Sequence, residues 1–141
     1  MTAKRVVIDA NILIRAVLGR RVSDLFDEYR AEVEFCTPPL TFTEAERHLP
    51  AVAAKRDLDL GKILDSLSRL RRVVSIVSDD ALLVRHDAAL ARIGQRDPND
   101  WPLVAAALAL DCPIWTEDRD FFGVGVATWT TATVEVYLRG E

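Results

Sequence analysis

Two aspartates in this sequence stand just after short apolar runs of the kind that form buried strands. Asp9 directly follows Val-Val-Ile at positions 6–8, and Asp118 follows Cys-Pro-Ile-Trp at positions 112–115 after two intervening residues. An open α/β sheet binds its ligands in the crevice at the carboxyl ends of its strands. We therefore expect the two carboxylates to lie close together there. Carboxylate oxygens at such a place suit hard cations such as Mg²⁺ or Mn²⁺.

Two further aspartates stand at the start of a long apolar segment that ends at Leu110. Asp97 and Pro98 are residue types favoured at the N-cap and at the first position of a helix. Asp100 follows three residues after Asp97, where an acid also favours the helix dipole. Capping accounts fully for Asp97. It accounts less fully for Asp100, because an acid at the mouth of so apolar a helix is expected to face the same crevice.

The helix predicted after Pro39 carries two glutamates, Glu44 and Glu46, that flank its apolar face. Charged residues on a helix are ordinarily exposed to solvent, so both could be surface residues. Glu44 lies next to the apolar edge and one turn before His48. The sequence leaves the choice between the two glutamates open.

The individual acids also have ordinary structural explanations. Asp9 could be the N-cap of the following helix, with Asn11 in its first turn, and the segment Thr-Glu-Asp-Arg-Asp at positions 116–120 could be an exposed loop. Three acids so close together destabilise one another unless a cation neutralises them. The joint placement of Asp9, Asp100 and Asp118 near one crevice therefore favours a site for a divalent metal.

Other chemistries find little support. The two histidines, His48 and His86, have no zinc-binding spacing, and the sequence has no nucleophile elbow, P-loop or glycine-rich dinucleotide motif. The net charge of −4 argues against a general basic coat, so binding to nucleic acid requires a local basic face or bridging cations. Several basic residues could line a path for phosphates, although such residues are more often solvated helix faces: Arg47, His48, Lys55, Arg56, Arg69, Arg71, Arg72, Arg85, Arg92 and Arg96.

The elements that would position these residues alternate between strands and helices along the whole chain. This pattern predicts a single domain over residues 1–141, with a parallel sheet of about five strands sandwiched between helices in a Rossmann-like layering. The predicted strands are 5–8, 32–36, 73–77, 113–115 and 126–129. The predicted helices run from just after 9 to 19, over 22–29, from Pro39 past 52, and over 58–70, 80–93 and 97–110, while 133–138 could be a helix or an edge strand.

Cysteine usage and hydropathy predict a cytoplasmic protein. Cys36 and Cys112 are far apart in sequence and lie beside predicted strands, which favours buried free thiols in a reducing compartment. The start of the chain has no apolar signal core. The longest apolar run, Trp101–Leu110, is about half the length that a bilayer requires. We expect no association with a membrane.

The chain resembles a PIN domain and is similar to VapC-type toxin ribonucleases. The resemblance runs nearly end to end: through Val-Val-Ile-Asp-Ala-Asn-Ile-Leu-Ile at 6–14, Asp-Trp-Pro-Leu-Val-Ala-Ala-Ala-Leu at 100–108, Thr-Glu-Asp-Arg-Asp-Phe at 116–121 and the late strand at 126–129. By this resemblance the four acids of the family correspond to Asp9, Glu44, Asp100 and Asp118, with Glu46 as a competitor for the second place. The supporting residues correspond to Asn11, Asp97, Thr116 and Asp120.

The resemblance implies a ribonuclease in which these acids hold one or two Mg²⁺ or Mn²⁺ ions. It also implies an RNA substrate, a homodimer and, for a toxin, an antitoxin protein that blocks the site. Metal ions between the acids and the RNA phosphates would remove the objection raised by the net charge. Two rivals stay open: a non-catalytic module with the same fold that binds protein or RNA, and a structure-specific DNA nuclease, for whose extra DNA-binding elements the chain has little room.

Overall fold

A five-stranded parallel sheet organises the molecule, as the alternation of strands and helices predicted. The computed structural model describes residues 4–140. The strands are ordered β3-β2-β1-β4-β5 across the sheet, with bounds β1 Lys4–Ile8, β2 Val33–Thr37, β3 Val74–Ile76, β4 Ile114–Trp115 and β5 Thr128–Trp129. The helices are α1 Ala10–Leu18, α2 Arg21–Tyr29, α3 Leu40–Lys55, α4 Leu60–Leu70, α5 Asp79–Val84, α6 His86–Ile93, α7 Trp101–Leu110 and α8 Val134–Leu138.

Successive side chains of β1 point to opposite faces of the sheet and enter two separate cores. Val6 and Ile8 pack in the core that contains the rings of Phe26, Phe35 and Trp115. Val7 packs in the other core, whose main helix is α7. Because β1 is buried on both faces, its run of β-branched residues is the pattern expected of a central parallel strand.

The register between β1 and β4 determines which residues meet at the carboxyl edge of the sheet. Ile8 lies opposite Trp115, the last residue of β4. The next residue of each strand, Asp9 and Thr116, therefore leaves the sheet at the same place. On the other side of β1, the Thr37 hydroxyl donates to the Ile8 carbonyl at 2.7 Å, which closes the end of the strand pair β1–β2.

Three predicted helical segments differ in detail from the observed ones. Residues 80–93 form two helices, α5 and α6, because Arg85 leaves the helical conformation at φ −105° and ψ 8°. Residues 97–110 form a 3₁₀ turn, Pro98–Asp100, followed by α7. Pro102 has no amide hydrogen and is accommodated only in the first turn of a helix, so α7 begins at Trp101. The segment 133–138, left open between helix and strand, contains helix α8.

Both cysteines are free thiols, as predicted; Cys36 is buried as expected, whereas Cys112 is only partly buried. Burial is the main cause that raises the pKa of Cys36, and it raises the pKa of Cys112 to about 11. Thiols held in the protonated form are poor nucleophiles, so neither residue has the chemistry of a reactive cysteine. Between residues 4 and 140, no helix combines the length and the apolar character needed to cross a membrane.

Candidate active site

Asp9 occupies both of the roles that the sequence left open for it. Its Oδ1 accepts a hydrogen bond from the Ile12 amide at 3.0 Å, which makes it the N-cap of α1. Its Oδ2 accepts a hydrogen bond from the Thr116 hydroxyl. The residue is only 7% exposed, and what remains of its surface faces a cleft at the carboxyl edge of the sheet. Capping and a place in the cleft are thus compatible in one side chain.

Thr116 connects two of the predicted site residues. It is fully buried at the end of β4, and its Oγ1 accepts a hydrogen bond from the Asp118 amide at 2.9 Å while its hydroxyl donates to Asp9. Asp120 contributes through its backbone, because its amide donates to Asp118 Oδ1 at 2.9 Å. The Asp120 side chain does not line the cleft. The hydroxyl of Thr116 therefore sets the position of Asp118 relative to Asp9.

The sequence suggested helix capping for Asp97 and a place in the cleft for Asp100, and the two side chains differ in this way in the structure. Asp97 caps the 3₁₀ turn, with its Oδ1 accepting from the Asn99 amide at 3.0 Å. Asp100 immediately precedes α7 but makes no capping hydrogen bond with its side chain. Its Oδ2 is buried and has no hydrogen-bond partner among residues 4–140. A buried polar atom without a partner is uncommon and requires an explanation. A cation would supply one, and so would a proton shared with the neighbouring Asp97 carboxyl, whose hydrogen bond is one of the causes that raise the pKa of Asp100.

The two glutamates of α3 face in different directions. Glu44 lines the cleft. Glu46 lies outside it and pairs with Arg71, whose Nη2 is 2.6 Å from Glu46 Oε1 and whose guanidinium lies over the ring of Phe42. Two residues along a helix differ by about 200° in direction, so the two side chains cannot share one face.

Five carboxylates line this cleft, which has a volume of about 560 Å³: Asp9, Glu44, Asp100, Glu117 and Asp118. Asn11 also lines it. Sequence reasoning did not select Glu117 or Phe121, although both belong to the segment 116–121 on which the resemblance rests. Glu117 is tied back to the chain, because its Oε1 accepts from the Thr131 amide at 2.7 Å.

The acids surround the cleft and are not packed into one tight group. Within the range 4–140, no three His, Cys, Asp or Glu side chains come close enough together to form a ready-made metal site. Their charges nevertheless interact, because Glu44 and Asp118 each raise the pKa of both Asp9 and Asp100. The acidic side chains are expected to lie apart from one another in this way, because like charges that face one cleft repel.

Burial has a larger effect on these two acids than their neighbours do. Desolvation is the main cause that raises the pKa of Asp9 to about 6, against the lowering effect of the Thr116 hydroxyl and the Ile12 amide. Desolvation also raises the pKa of Asp100 to about 7, helped by the negative charges of Asp97 and Asp118. The pKa values of Asp9 and Asp100 thus lie above the ordinary range of aspartate, as is common for carboxylates in a functional cleft.

Two arginines that the sequence analysis assigned to a possible phosphate path support the loop after Asp118 instead. Arg96 Nη1 donates to the carbonyls of Asp120, at 2.9 Å, and Phe122, and Arg92 Nη1 donates to the carbonyl of Val124 at 3.0 Å. Both guanidinium groups thus bind backbone oxygens, and they hold the segment 120–124, which follows Asp118, against α6 and the residues just after it.

The raised pKa values predict how stability depends on pH in protein treated with a chelator. A carboxyl with a higher pKa in the folded than in the unfolded protein binds more protons when folded, so the free energy of unfolding decreases as pH rises through that range. For Asp9 the range extends from 3.8 to about 6, and for Asp100 from 3.8 to about 7. We expect a decrease on the order of 1–2 kcal/mol between about pH 5 and pH 8 in urea denaturation.

The opposite contribution of Glu135 does not interfere with this measurement. The Tyr29 hydroxyl is the main cause that lowers the pKa of Glu135 below 4.5, so Glu135 affects stability only at lower pH. A free energy of unfolding that increased between about pH 5 and pH 8 would contradict the environments described for Asp9 and Asp100.

Comparison with known proteins decides the family. The family model described as "PIN domain" matches residues 7–139, nearly the whole chain. The chain belongs to the PIN-domain family. PIN domains are typically nucleases, which is consistent with an acidic cleft at the carboxyl edge of the sheet. Among curated proteins, no sequence matches this PIN domain.

Solved structures share the fold of this PIN domain at low sequence identity. PAE2754 from Pyrobaculum aerophilum is 18% identical, with a TM-score of 0.73 over 100% of this chain and 98% of the other. VapBC2 from Rickettsia felis, bound to a DNA fragment from its promoter, is 10% identical, with a TM-score of 0.68 over 89% and 98%. A toxin–antitoxin complex from Klebsiella pneumoniae is 18% identical, with a TM-score of 0.60 over 89% and 97%.

Proposed function

We propose that this PIN domain is a metal-dependent endoribonuclease that hydrolyses phosphodiester bonds of RNA. The observation that carries the proposal is that carboxylates from four separate parts of the fold line one cleft. They come from the end of β1, from α3, from the start of α7 and from the loop after β4: Asp9, Glu44, Asp100 and Asp118. We assign these four as the ligands of one or two Mg²⁺ or Mn²⁺ ions.

The donor set fits such an ion. All four side chains offer oxygen, which hard divalent cations prefer over nitrogen or sulfur. The buried Oδ2 of Asp100 has no partner among the described residues and would gain one from a cation. Asp9 and Asp100, whose pKa values are raised mainly by burial, would also ionise more readily beside a positive charge.

A divalent ion bound there supplies Lewis acidity toward water and toward the phosphate oxygens of the substrate. The protein contributes orientation. Asp9 is held by two hydrogen bonds, one to each oxygen, and Thr116 links it to the backbone of Asp118. Apolar side chains, among them Ile14, Leu103 and Phe121, form part of the wall of the cleft.

A toxin of a toxin–antitoxin pair is the biological role that we propose for this activity. The similarity of fold to VapBC2 and to a toxin–antitoxin complex supports an antitoxin protein as partner. The same proposal includes a homodimer and, because cellular RNA is the substrate, a cytoplasmic location.

Glu44→Gln and Glu46→Gln form a matched pair that tests the proposal. Both remove one negative charge from α3, but only Glu44 lines the cleft. With Mn²⁺ and a mixture of single-stranded RNAs, we expect cleavage by the wild-type protein, a loss of roughly a hundredfold or more in Glu44→Gln, and nearly full activity in Glu46→Gln. The rate of product formation on a denaturing gel is the measurement, with single-stranded DNA of the same sequences as a second substrate.

Each alternative predicts a different result in this assay. Equal losses in the two variants would contradict the assignment of Glu44. Cleavage of DNA in preference to RNA would identify a DNA nuclease. The absence of cleavage of either substrate by wild-type protein, with or without Mn²⁺, would favour a non-catalytic binding module.

A further inference from the structure

A second cavity adjoins the acidic cleft and has the opposite charge. It has a volume of about 500 Å³ and is lined by four arginines and by no acidic residue: Arg15, Arg20, Arg21 and Arg56. We call it the arginine groove. Asn11, Ile14 and Val52 line both the arginine groove and the cleft, so the two cavities form one continuous surface.

The arginines come from the places where three helices approach one another. Arg15 lies in α1, Arg20 and Arg21 stand at the start of α2, and Arg56 follows the end of α3. This convergence brings four positive charges together in a protein whose net charge is −4. A protein with a negative net charge needs a local basic face to bind nucleic acid, and the arginine groove is such a face.

Two of the arginines are held in place and two have no ion-pair partner within residues 4–140. Arg15 Nε donates to Asn11 Oδ1 at 2.9 Å, and Arg21 pairs with Glu135 at 3.2 Å. Arg20 and Arg56 are exposed and make no salt bridge in the part of the chain that the structure describes. Their guanidinium groups are thus available for an anionic ligand.

We infer that the arginine groove binds the phosphates of the RNA strand on one side of the bond that is cut. The inference rests on the proposed ribonuclease function, and it states where on the protein the RNA substrate binds. A strand that crosses both cavities would have one phosphate beside the carboxylates and their cations, and its neighbouring phosphates beside the arginines. Guanidinium groups match phosphate oxygens in two-pronged geometry and are common in such contacts.

The cavity that adjoins the cleft through Glu44 and Asp100 is not rich in arginines. Contacts with phosphates are therefore expected mainly on the side of the arginine groove. A third cavity, about 340 Å³, shares Glu44 and Asp100 with the cleft. Its lining includes a single arginine, Arg47, and a further acid, Asp97. The nucleotides that occupy the arginine groove therefore supply most of the electrostatic attraction between protein and RNA.

RNA fits the groove better than an acidic segment of a protein does. Both would satisfy the four arginines, but the groove opens directly into the cleft where a phosphodiester is proposed to react. A continuous polyanion with a phosphate at each nucleotide can occupy both cavities at once. The acidic protein segment is the alternative that the experiment must separate.

Binding of RNA to a cleavage-deficient protein tests the inference independently of catalysis. All variants carry Asp118→Asn, and a fluorescein-labelled single-stranded RNA of about 12 nucleotides is titrated in Mg²⁺ at several KCl concentrations, with anisotropy as readout. Arg20→Gln with Arg56→Gln is the groove pair. Arg30→Gln with Arg72→Gln is the matched control, since both residues are exposed and precede β2 and β3 at the opposite edge of the sheet.

We expect the groove pair to weaken binding about tenfold and to reduce the slope of log K against log salt by about 1.4, which is roughly 0.7 for each of two lost phosphate contacts. The control pair should change affinity less than about twofold. Arg20→Lys with Arg56→Lys should restore most of the salt dependence, because the charges are retained. Melting temperatures establish that each pair is folded.

Several results would overturn the inference. Equal weakening by both pairs would mean that only net charge matters, and absence of RNA binding by the protein with the intact groove would exclude the groove as an RNA site. Polyglutamate that bound as tightly as RNA and lost affinity in the groove pair would identify an acidic protein segment as the ligand. RNA binding that depends on the groove, combined with no cleavage by wild-type protein, would uphold the groove and reject the ribonuclease.

Discussion

Replacement of Asp9 with Asn is expected to abolish RNA cleavage and, in chelated protein at about pH 8, to raise the free energy of unfolding by about 1–3 kcal/mol. The two effects have one origin. Asp9 is buried and its charge is costly in the metal-free protein, which is why its pKa is raised to about 6. The same charge is what a divalent cation would bind. Removal of the charge therefore stabilises the fold and eliminates the proposed activity, with a loss of roughly a thousandfold or more.

The Asn side chain can preserve the local structure around position 9. Asparagine is as favourable an N-cap as aspartate, so its Oδ1 can still accept from the Ile12 amide. Its amide group can donate to Thr116, whose hydroxyl rotates to accept. The hydrogen bonds with the Ile12 amide and with Thr116 can both form after the change, while one negative charge is lost. Asp9→Asn thus separates the effect on catalysis from an effect on folding.

Asp59→Asn is a matched control for Asp9→Asn. Asp59 is also an N-cap, since it accepts from the Lys62 amide at 3.3 Å at the start of α4, but it is exposed and lies outside the cleft. We expect unchanged cleavage and a change in stability within about 0.5 kcal/mol. Cleavage rates and urea denaturation at about pH 5 and pH 8 are the measurements. Retained cleavage by Asp9→Asn, or a loss of stability at the higher pH, would contradict the role proposed for Asp9.

Addition of Mn²⁺ to chelated wild-type protein is expected to give a large increase in stability. A ligand that binds only the folded state stabilises it by mass action, by about 4 kcal/mol at a thousand times its dissociation constant. The increase should grow between about pH 5 and pH 8, because the carboxylates must be deprotonated to bind the ion. The decrease in stability with pH that we predict for chelated protein should correspondingly become smaller.

The variants separate a specific site from general binding of cations. Asp9→Asn and Asp100→Asn should lose most of the shift in melting temperature, whereas Glu46→Gln should retain it, because Glu46 pairs with Arg71 away from the cleft. Thermal melting with Mn²⁺ and Mg²⁺ in turn is the measurement. A wild-type protein without a shift, or shifts of equal size in all variants, would reject the acidic cleft as a metal site.

The acids at the strand ends could be predicted from sequence because the signal is local. A run of buried β-branched residues that ends in an acid places Asp9 at the carboxyl edge of the sheet, whatever the rest of the chain does. Thr116 and Asp118 follow β4 in the same way. The parallel order of strands then requires that these ends meet at one edge, and the register of Ile8 with Trp115 brings Asp9 and Thr116 into contact.

The sequence by itself thus determined the fold class, the five strands and three of the five acids that line the cleft, Asp9, Asp100 and Asp118, since each depends on nearest neighbours in the chain. Only the tertiary structure separated Glu44 from Glu46, since the direction of a helical side chain depends on which face of α3 packs against the sheet. It also assigned Arg92 and Arg96 to backbone carbonyls and brought Arg15, Arg20, Arg21 and Arg56 together. The four arginines of the groove lie in α1, at the start of α2 and just after α3. Only the packing of these helices brings them together, and no local pattern encodes that packing.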